Sequence, residues 1–368
     1  MGESKWRVIS STKNWIESKS IDQLKHSISL RNAIYAVGMP DIHPGKGIPV
    51  GAALLTKGTI YPHVIGNDIG CGMGVFTTGI DVKKFKTDRY AKELEKLPSF
   101  NSIDIQHLMS KYENMQAISA LGTIGGGNHF AEFQCVDTIS DIETFSKCGF
   151  TENHLSLLIH SGSRGLGDVT LRSFIEKYQA QNGLDESSVA FSSYITAHDY
   201  CVEWAKINRA LIASRLLIGL GLKESTQSVL DTPHNFIKPV TINEERYYIH
   251  RKGVSESEEL NIIPGSRGTL TYLVKRNNSG YNNLYSVPHG AGRKWERSAC
   301  KGKLENKYTK NSIKISKYGS PLICKEKELF FEEAPESYKN IDIVINDMVD
   351  AGIITVVATF KPVMTIKF

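Results

Sequence analysis

The chain has 368 residues, 40% of them apolar and 23% charged, the profile of an ordinary soluble globular protein. Such a length supports a real buried core in one large domain or two medium ones. It excludes disorder, a collagen-like repeat and a disulfide-stapled mini-fold. The 44 basic and 39 acidic residues leave a formal charge of +5. Spread evenly, that excess would not establish a nucleic-acid partner, and it only disfavours a strongly cationic substrate.

Residues 1–6 belong to no apolar stretch of signal-peptide length, and the most apolar segments, near 211–222 and 353–360, are too short or interrupted to span a bilayer. The six cysteines form no C-x-x-C pair, so a reduced, cytoplasmic protein is expected, with most thiols acting as small buried hydrophobes. Taken in chain order, the apolar run 33–37 reads as a strand entering a polar loop at 38–43. Residues 88–97 have helical spacing. The run 155–159 enters His160-Ser161-Gly162-Ser163-Arg164-Gly165, and 246–249 enters His250-Arg251-Lys252-Gly253. Residues 194–217 form a clearer helix whose broad apolar face also carries Asn208, which needs a hydrogen-bond partner if buried. Short strands with scattered peripheral helices predict an α+β fold with mixed or antiparallel sheets.

The charge is not spread evenly. Residues 293–317 hold nine basic and two acidic side chains, a local +7 that leaves the remainder at −2. An isolated charge run is usually a solvated face. The sharper alternative is a surface for phosphate backbones.

Chemistry-bearing residues gather in five polar clusters: 68–72, 125–129, 160–165, Pro233-His234-Asn235, and His289-Gly290-Ala291-Gly292-Arg293. One histidine beside a glycine is commonly structural, whereas several at strand ends point to a site. A carboxylate, a thiol and several imidazoles suit Mn, Fe, Co or Zn better than Mg or Ca. Their dispersal favours a catalytic over a structural metal. There is no P-loop, no G-x-G-x-x-G, no H-E-x-x-H and no Lys-x-Asp-Gly ligase motif. From residue types alone the reading stops at a metal-dependent enzyme acting on phosphate-bearing substrates.

At these motifs the sequence resembles the RtcB family of GTP-dependent RNA ligases. The resemblance runs from Met39-Pro40-Asp41-Ile42-His43 to Lys367, essentially the whole chain, so a single RtcB-like domain over 1–368 is expected. It implies two manganese ions held by Asp68, Cys71, His129, His160 and His234, with Cys71 bridging, and guanylylation of His289 by GTP. It further implies a nucleotide pocket of Asn128, Glu132, Ser266, Gly290, Ala291, Gly292, Tyr338 and Lys367. In that pocket Glu132 and Lys367 read guanine and Tyr338 stacks on it. Asp41 and His43 are expected as supports. Arg164, Arg251, Lys252, Arg293, Lys301 and Lys303, with His250, are candidates for RNA or GTP phosphates. The implied substrates are RNA 3′-phosphate or 2′,3′-cyclic phosphate ends and 5′-hydroxyl ends, in RNA repair or tRNA splicing, with a bacterial repair branch as the subfamily. No activating protein is identifiable, membrane association is not expected, and a monomer is expected because no coiled-coil signal occurs. A manganese phosphoesterase and an inactive RNA-binding descendant stay open as alternatives. The chain departs from the family pattern at Arg267, at Thr271 in place of serine, and at Lys367-Phe368 in place of Lys-Gly.

Overall fold

The apolar runs pair into two sheets that meet where the polar clusters lie. The structure is a computed structural model and describes residues 5–222, 226–277 and 280–368. The smaller sheet has the order Trp6–Val8, Ala33–His43, Val50–Thr56, Glu245–Lys252, Asn235–Ile242, antiparallel except at its first pair. The larger sheet runs Leu260–Pro264, Thr271–Arg276, Ile354–Lys367, Phe130–Ile139, His154–Ser161, Gly72–Asp81, Gln227–Pro233, antiparallel throughout. Leu322–Cys324 joins it parallel to Ile354–Lys367. A short ribbon, Val254–Glu256 with Ser286–Pro288, leads the chain into His289. The α+β expectation holds.

Three strands run beyond their apolar stretches, correcting the loop assignments. Ala33–His43, His154–Ser161 and Glu245–Lys252 continue through residues read as polar loops. Neighbouring strands extend equally far and keep the ladders paired: Phe130 and Met73 both lie opposite His160, and Ala52 opposite Lys252. Backbone pairing is indifferent to side-chain polarity, so imidazoles can sit inside strands wherever they face a cavity. Between Gly38 and His43 the register with Val50–Thr56 shifts, a bulge that re-aims side chains. Asp41 lies within it.

The segment read as a helix over 194–217 is the longer helix Val189–Gly219, started one turn earlier by the Ser188 hydroxyl, which accepts from the Phe191 N–H. It packs between two apolar clusters. Ile212, Leu216 and Leu217 meet Phe133 and Leu157 of the larger sheet, while Tyr194, Cys201 and Trp204 meet Ile60, Ile65 and Tyr248. The segment 88–97 is the helix Thr87–Lys96. Among the described residues no helix is long and apolar enough to cross a membrane.

Candidate metal centre and nucleotide pocket

Adjacent strands of the larger sheet deliver the donors side by side. Cys71 ends a tight turn from Asp68, closed by the Cys71 N–H to Asp68 carbonyl bond of 3.1 Å, and leads into Gly72–Asp81. His129 precedes Phe130–Ile139, His160 sits within His154–Ser161, and His234 lies between Gln227–Pro233 and Asn235–Ile242. Their side chains converge. Cys71 Sγ is 3.3 Å from both His129 Nε2 and His160 Nε2, His160 Nε2 is 3.3 Å from His234 Nε2, and His129 Nε2 is 3.0 Å from Asp68 Oδ2. Two groups with metal-ligand geometry result, Asp68–Cys71–His129 and Cys71–His160–His234, with Cys71 in both. Glycine makes the packing possible, since a side chain at Gly162 would occupy the place of the Asp68 carboxylate.

Burial sets the protonation of this cluster. It pushes His160 and His234 well below the usual imidazole range, helped by the neighbouring histidines, so both are neutral. It pushes the Cys71 thiol well above its ordinary value, with the Asp68 carboxylate adding to the effect. Burial would raise Asp68 too, but the hydrogen bond from His129 overrides it and holds the carboxyl below its ordinary range. Asp68 Oδ1 and His234 Nδ1 are buried without a hydrogen-bond partner, and lone pairs left unpaired indoors are costly. Neutral imidazoles, a thiol and an unsatisfied carboxylate oxygen fit divalent transition ions.

His289 stands against this cluster. Its ring centroid is 4.8 Å from that of His234, and Nδ1 lies 2.7 Å from Asp41 Oδ2, on a side chain with no exposure. With Asp41 accepting from Nδ1–H, Nε2 carries the free lone pair. Gly292 has φ +73°, and a side chain there would strike the Asp41 backbone oxygen. The glycine therefore lets the 289–293 loop approach the bulge. The His43 ring stacks at 6.4 Å from His289, and burial lowers it to about 3.

The donors and His289 line one end of a cavity of about 310 Å³, within the range of small-ligand sites. All the expected nucleotide residues line it too: Asn128, Glu132, Ser266, Gly290, Ala291, Gly292, Tyr338 and Lys367. Among these, Glu132 accepts from Thr365 Oγ1 at 2.5 Å and Gln134 Nε2 at 2.8 Å, and Gln134 also donates to Thr271. Thr271 thus serves through its hydroxyl. Lys367 Nζ donates to the His129 carbonyl at 2.8 Å and lies 3.8 Å from Glu333. Burial lowers this lysine. Glu333, which motif reasoning missed, also takes the Tyr338 hydroxyl at 2.5 Å, Arg293 at 3.2 Å and Arg297 at 3.1 Å. Its acidic run, Glu326–Glu336, looks like any solvated stretch, and only Tyr338 nearby could have flagged it. Phe368 packs its ring 5.7 Å from Phe100.

The residues expected to meet phosphates lie in different surroundings. Arg251 is 1% exposed, donating to Ser286 Oγ and the Leu284 and Tyr285 carbonyls under the Phe236 ring. His250 is buried and accepts from the Tyr61 N–H. Both are core groups, because strand Glu245–Lys252 is interior to its sheet. Arg293 lines the cavity but is engaged by Glu333, Tyr338 and the Glu332 carbonyl. Arg267 is likewise held by the carbonyls of Glu333 and Phe330. Lys301 and Lys303 are exposed on the helix Arg297–Leu304, outside the cavity, with Lys303 Nζ 4.6 Å over the Trp295 ring. Lys252 does line the cavity, donating to the Ile48 carbonyl, and burial lowers it to about 8. Arg164 flanks the cluster, with Nη1 3.3 Å from His129 Nδ1.

Burial raises Glu132 to about 7 from an ordinary 4.5. The folded chain therefore holds this proton more tightly than the unfolded one, and stability falls as pH rises from about 4.5 through 7. Glu132→Gln removes that dependence. Urea unfolding of the metal-free protein should show the variant gaining on wild type between pH 5 and pH 8. A difference independent of pH would refute the raised carboxyl.

Comparison with known proteins gives the family. The family model described as tRNA-splicing ligase RtcB matches residues 23–101 and 91–368. An Escherichia coli protein named RNA-splicing ligase RtcB2 is 43% identical over 362 residues, covering 98% of this chain and 94% of its own. RNA-splicing ligase RtcB of Escherichia coli K12 is 27% identical, covering 89% of each chain. The tRNA-splicing ligase RtcB of Nanoarchaeum equitans is 28% identical, covering 95% of this chain and 92% of its own. With both the family model and the RtcB2 relative spanning nearly its full length, this chain belongs to the RtcB family.

Proposed function

We propose that this chain is an RNA ligase, a single catalytic domain joining RNA 3′-phosphate ends to 5′-hydroxyl ends with GTP as co-substrate. The observation that carries the reading is the placement of His289, Asp41-bound at Nδ1, against two donor groups that share Cys71. Family membership supports it, as do the ligase names of the relatives.

Manganese ions, held by Asp68, Cys71 and His129 and by Cys71, His160 and His234, would supply positive charge against phosphate oxygens. The chain's own residues do the rest. His289 Nε2 attacks the α-phosphorus of GTP, so an N–P bond forms as the bond to the β-phosphate oxygen breaks and pyrophosphate leaves. Asp41 keeps the proton on Nδ1 and stabilises the charge that the ring gains. An oxygen of the RNA 3′-phosphate then takes the GMP, freeing His289. The 5′-hydroxyl next attacks the 3′-phosphorus, GMP departs and the strand is sealed. A 2′,3′-cyclic phosphate is first opened by water to the 3′-phosphate. Glu132, as carboxylate, accepts from the N1/N2 edge of guanine while Lys367 donates to O6, and adenine would leave both mispaired. Tyr338 serves as the base platform. Asn128, Ser266 and the backbone of Gly290–Gly292 hold the nucleotide. Lys252, in the cavity, and Arg164, beside His129, would meet RNA or GTP phosphates.

The protein incubated with Mn²⁺ and α-labelled GTP should acquire an acid-labile adduct. His289→Ala should abolish it, chelation of the metal should prevent it, and Asp41→Asn should slow its formation by about 10²-fold or more. Processing of RNA ends without GTP dependence would mean a phosphoesterase instead, and RNA affinity with neither reaction would mean an inactive binder. The basic stretch 293–317 supports an RNA surface in narrowed form, since Arg293, Arg297 and Lys307 are engaged by Glu333, Glu332 and Glu336. Neutralising exposed Lys301, Lys303 and Lys310 together should weaken RNA binding and lower its salt slope by up to about 3, with adduct formation intact. Unchanged affinity returns the stretch to solvated surface.

A further inference from the structure

The helix Val189–Gly219 carries two consecutive polar residues, Asn208 and Arg209, each with no exposure. Neither belongs to the donor groups, yet their side-chain hydrogen bonds go to segments that lead to or carry a donor. Arg209 uses Nε and Nη2 to grip both oxygens of Asp231, at 2.7 and 2.6 Å, and Nη1 to hold the carbonyls of Gly70 and Ser161, at 2.9 and 2.8 Å. Gly70 adjoins Cys71, Ser161 adjoins His160, and Asp231 is three residues before His234 on the strand that ends there. Asn208 Oδ1 accepts from the Thr123 N–H at 3.1 Å. Its Nδ2 lies 3.2 Å from the Thr123 carbonyl, 3.1 Å from Ser161 Oγ and 3.3 Å from the Gly162 carbonyl. Thr123 opens the segment leading to His129, and Gly162 packs directly on the Asp68 carboxylate.

A buried Arg–Asp pair alone is weak evidence for any role, since apolar residues of similar volume often replace one without loss. What such a replacement would not reproduce here is the grip on two carbonyls. A planar guanidinium holds Asp231 bidentately and still reaches sideways, which a point-charge ammonium cannot do. Groups that orient metal ligands from behind typically govern affinity by tenfold to a hundredfold.

We propose that Asn208 and Arg209 are positioning residues for the two metal sites, with Arg209 setting the spacing of Cys71, His160 and His234, and Asn208 that of Asp68 and His129. This rests on the two-metal reading above. The division of labour follows from the partners. Arg209 ties together the segments bearing Cys71, His160 and His234. Asn208 ties the His129 segment to Ser161, which Arg209 also holds, and to the glycine against which Asp68 lies. Because both come from one rigid helical turn, the two donor groups keep a fixed relation before any ion arrives.

Mn²⁺ binding to the full-length protein, followed by equilibrium dialysis and by electron paramagnetic resonance, tests this without recourse to activity. Wild type should take up two ions. Arg209→Lys should lose about tenfold to a hundredfold affinity for one of them. Asn208→Leu should lose a similar amount for the other. The Arg209 loss should not add to that of His234→Ala, nor the Asn208 loss to that of His129→Ala, as expected for residues acting on the same ion. Should Arg209→Lys not fold, Arg209→Met combined with Asp231→Leu removes the pair without leaving a buried lone charge and gives the same readout. Arg251→Met serves as the control for losing a buried arginine elsewhere, and it should keep both ions. The proposal fails if folded Arg209 and Asn208 variants bind two ions with wild-type affinity, or lose no more than Arg251→Met does. No Mn²⁺ uptake by wild type would sink this proposal and the two-metal reading together, whereas two ions bound with wild-type affinity by every variant would sink this proposal alone.

Discussion

Cys71 Sγ, with an imidazole nitrogen 3.3 Å away on either side, is the constraint around which the site is arranged. Groups at that separation in a dry pocket cannot all present lone pairs to one another; a proton or a cation must lie between them. Burial accordingly leaves His160 and His234 neutral and keeps the Cys71 thiol protonated. A divalent ion would invert that balance, drawing the thiol proton off and using lone pairs that now have no partner. The glycines follow from the same crowding, because the strand ends approach so closely that Gly72 faces the Pro233 backbone and Gly162 faces Asp68.

The part of the cavity around Glu333 is built on the opposite solution, full ionic pairing. Glu333 sits among Lys367, Arg293 and Arg297, and these cations hold its carboxyl low although burial alone would raise it. Glu132 has no arginine beside it, only Thr365, Gln134 and a more distant Lys367, and burial wins. Two buried carboxylates in one cavity are thus pushed apart by their surroundings. Glu333 is paired with cations, whereas Glu132 accepts only from a neutral hydroxyl and a neutral amide.

What the sequence made legible was the set of donors, because cysteine, histidine and aspartate beside glycine are rare enough together to stand out. It also showed the long helix, whose spacing is unmistakable over six turns. Less visible was anything that depends on register. Asp41 reaches His289 because pairing slips between Gly38 and His43, and no residue type announces a slip. Arg251 and His250 read as phosphate ligands because basic residues beside glycine usually are; an interior strand made them core. Asn208 shows the intermediate case. Its place on an apolar face demanded partners, but only the fold could reveal that those partners were the backbones of the donor loops.

The site also depends on how the two sheets are joined. His234 is the residue at which the chain leaves the larger sheet, after Gln227–Pro233, and enters the smaller one at Asn235–Ile242. Its N–H bonds the Cys71 carbonyl at 2.7 Å, and the Asn235 carbonyl accepts from the Gly70 N–H at 2.8 Å, so the crossing is stitched to the cysteine loop. The donors then come from the larger sheet, and the Asp41 that orients His289 comes from the smaller. His289, held through Asp41 by one sheet, and the donors carried by the other keep their spacing only if the sheets do not slide. Rigidity at that seam costs conformational entropy but leaves these side chains little to search. The buried polar pair on the long helix lies behind this seam, where a fixed reference for both halves is most needed.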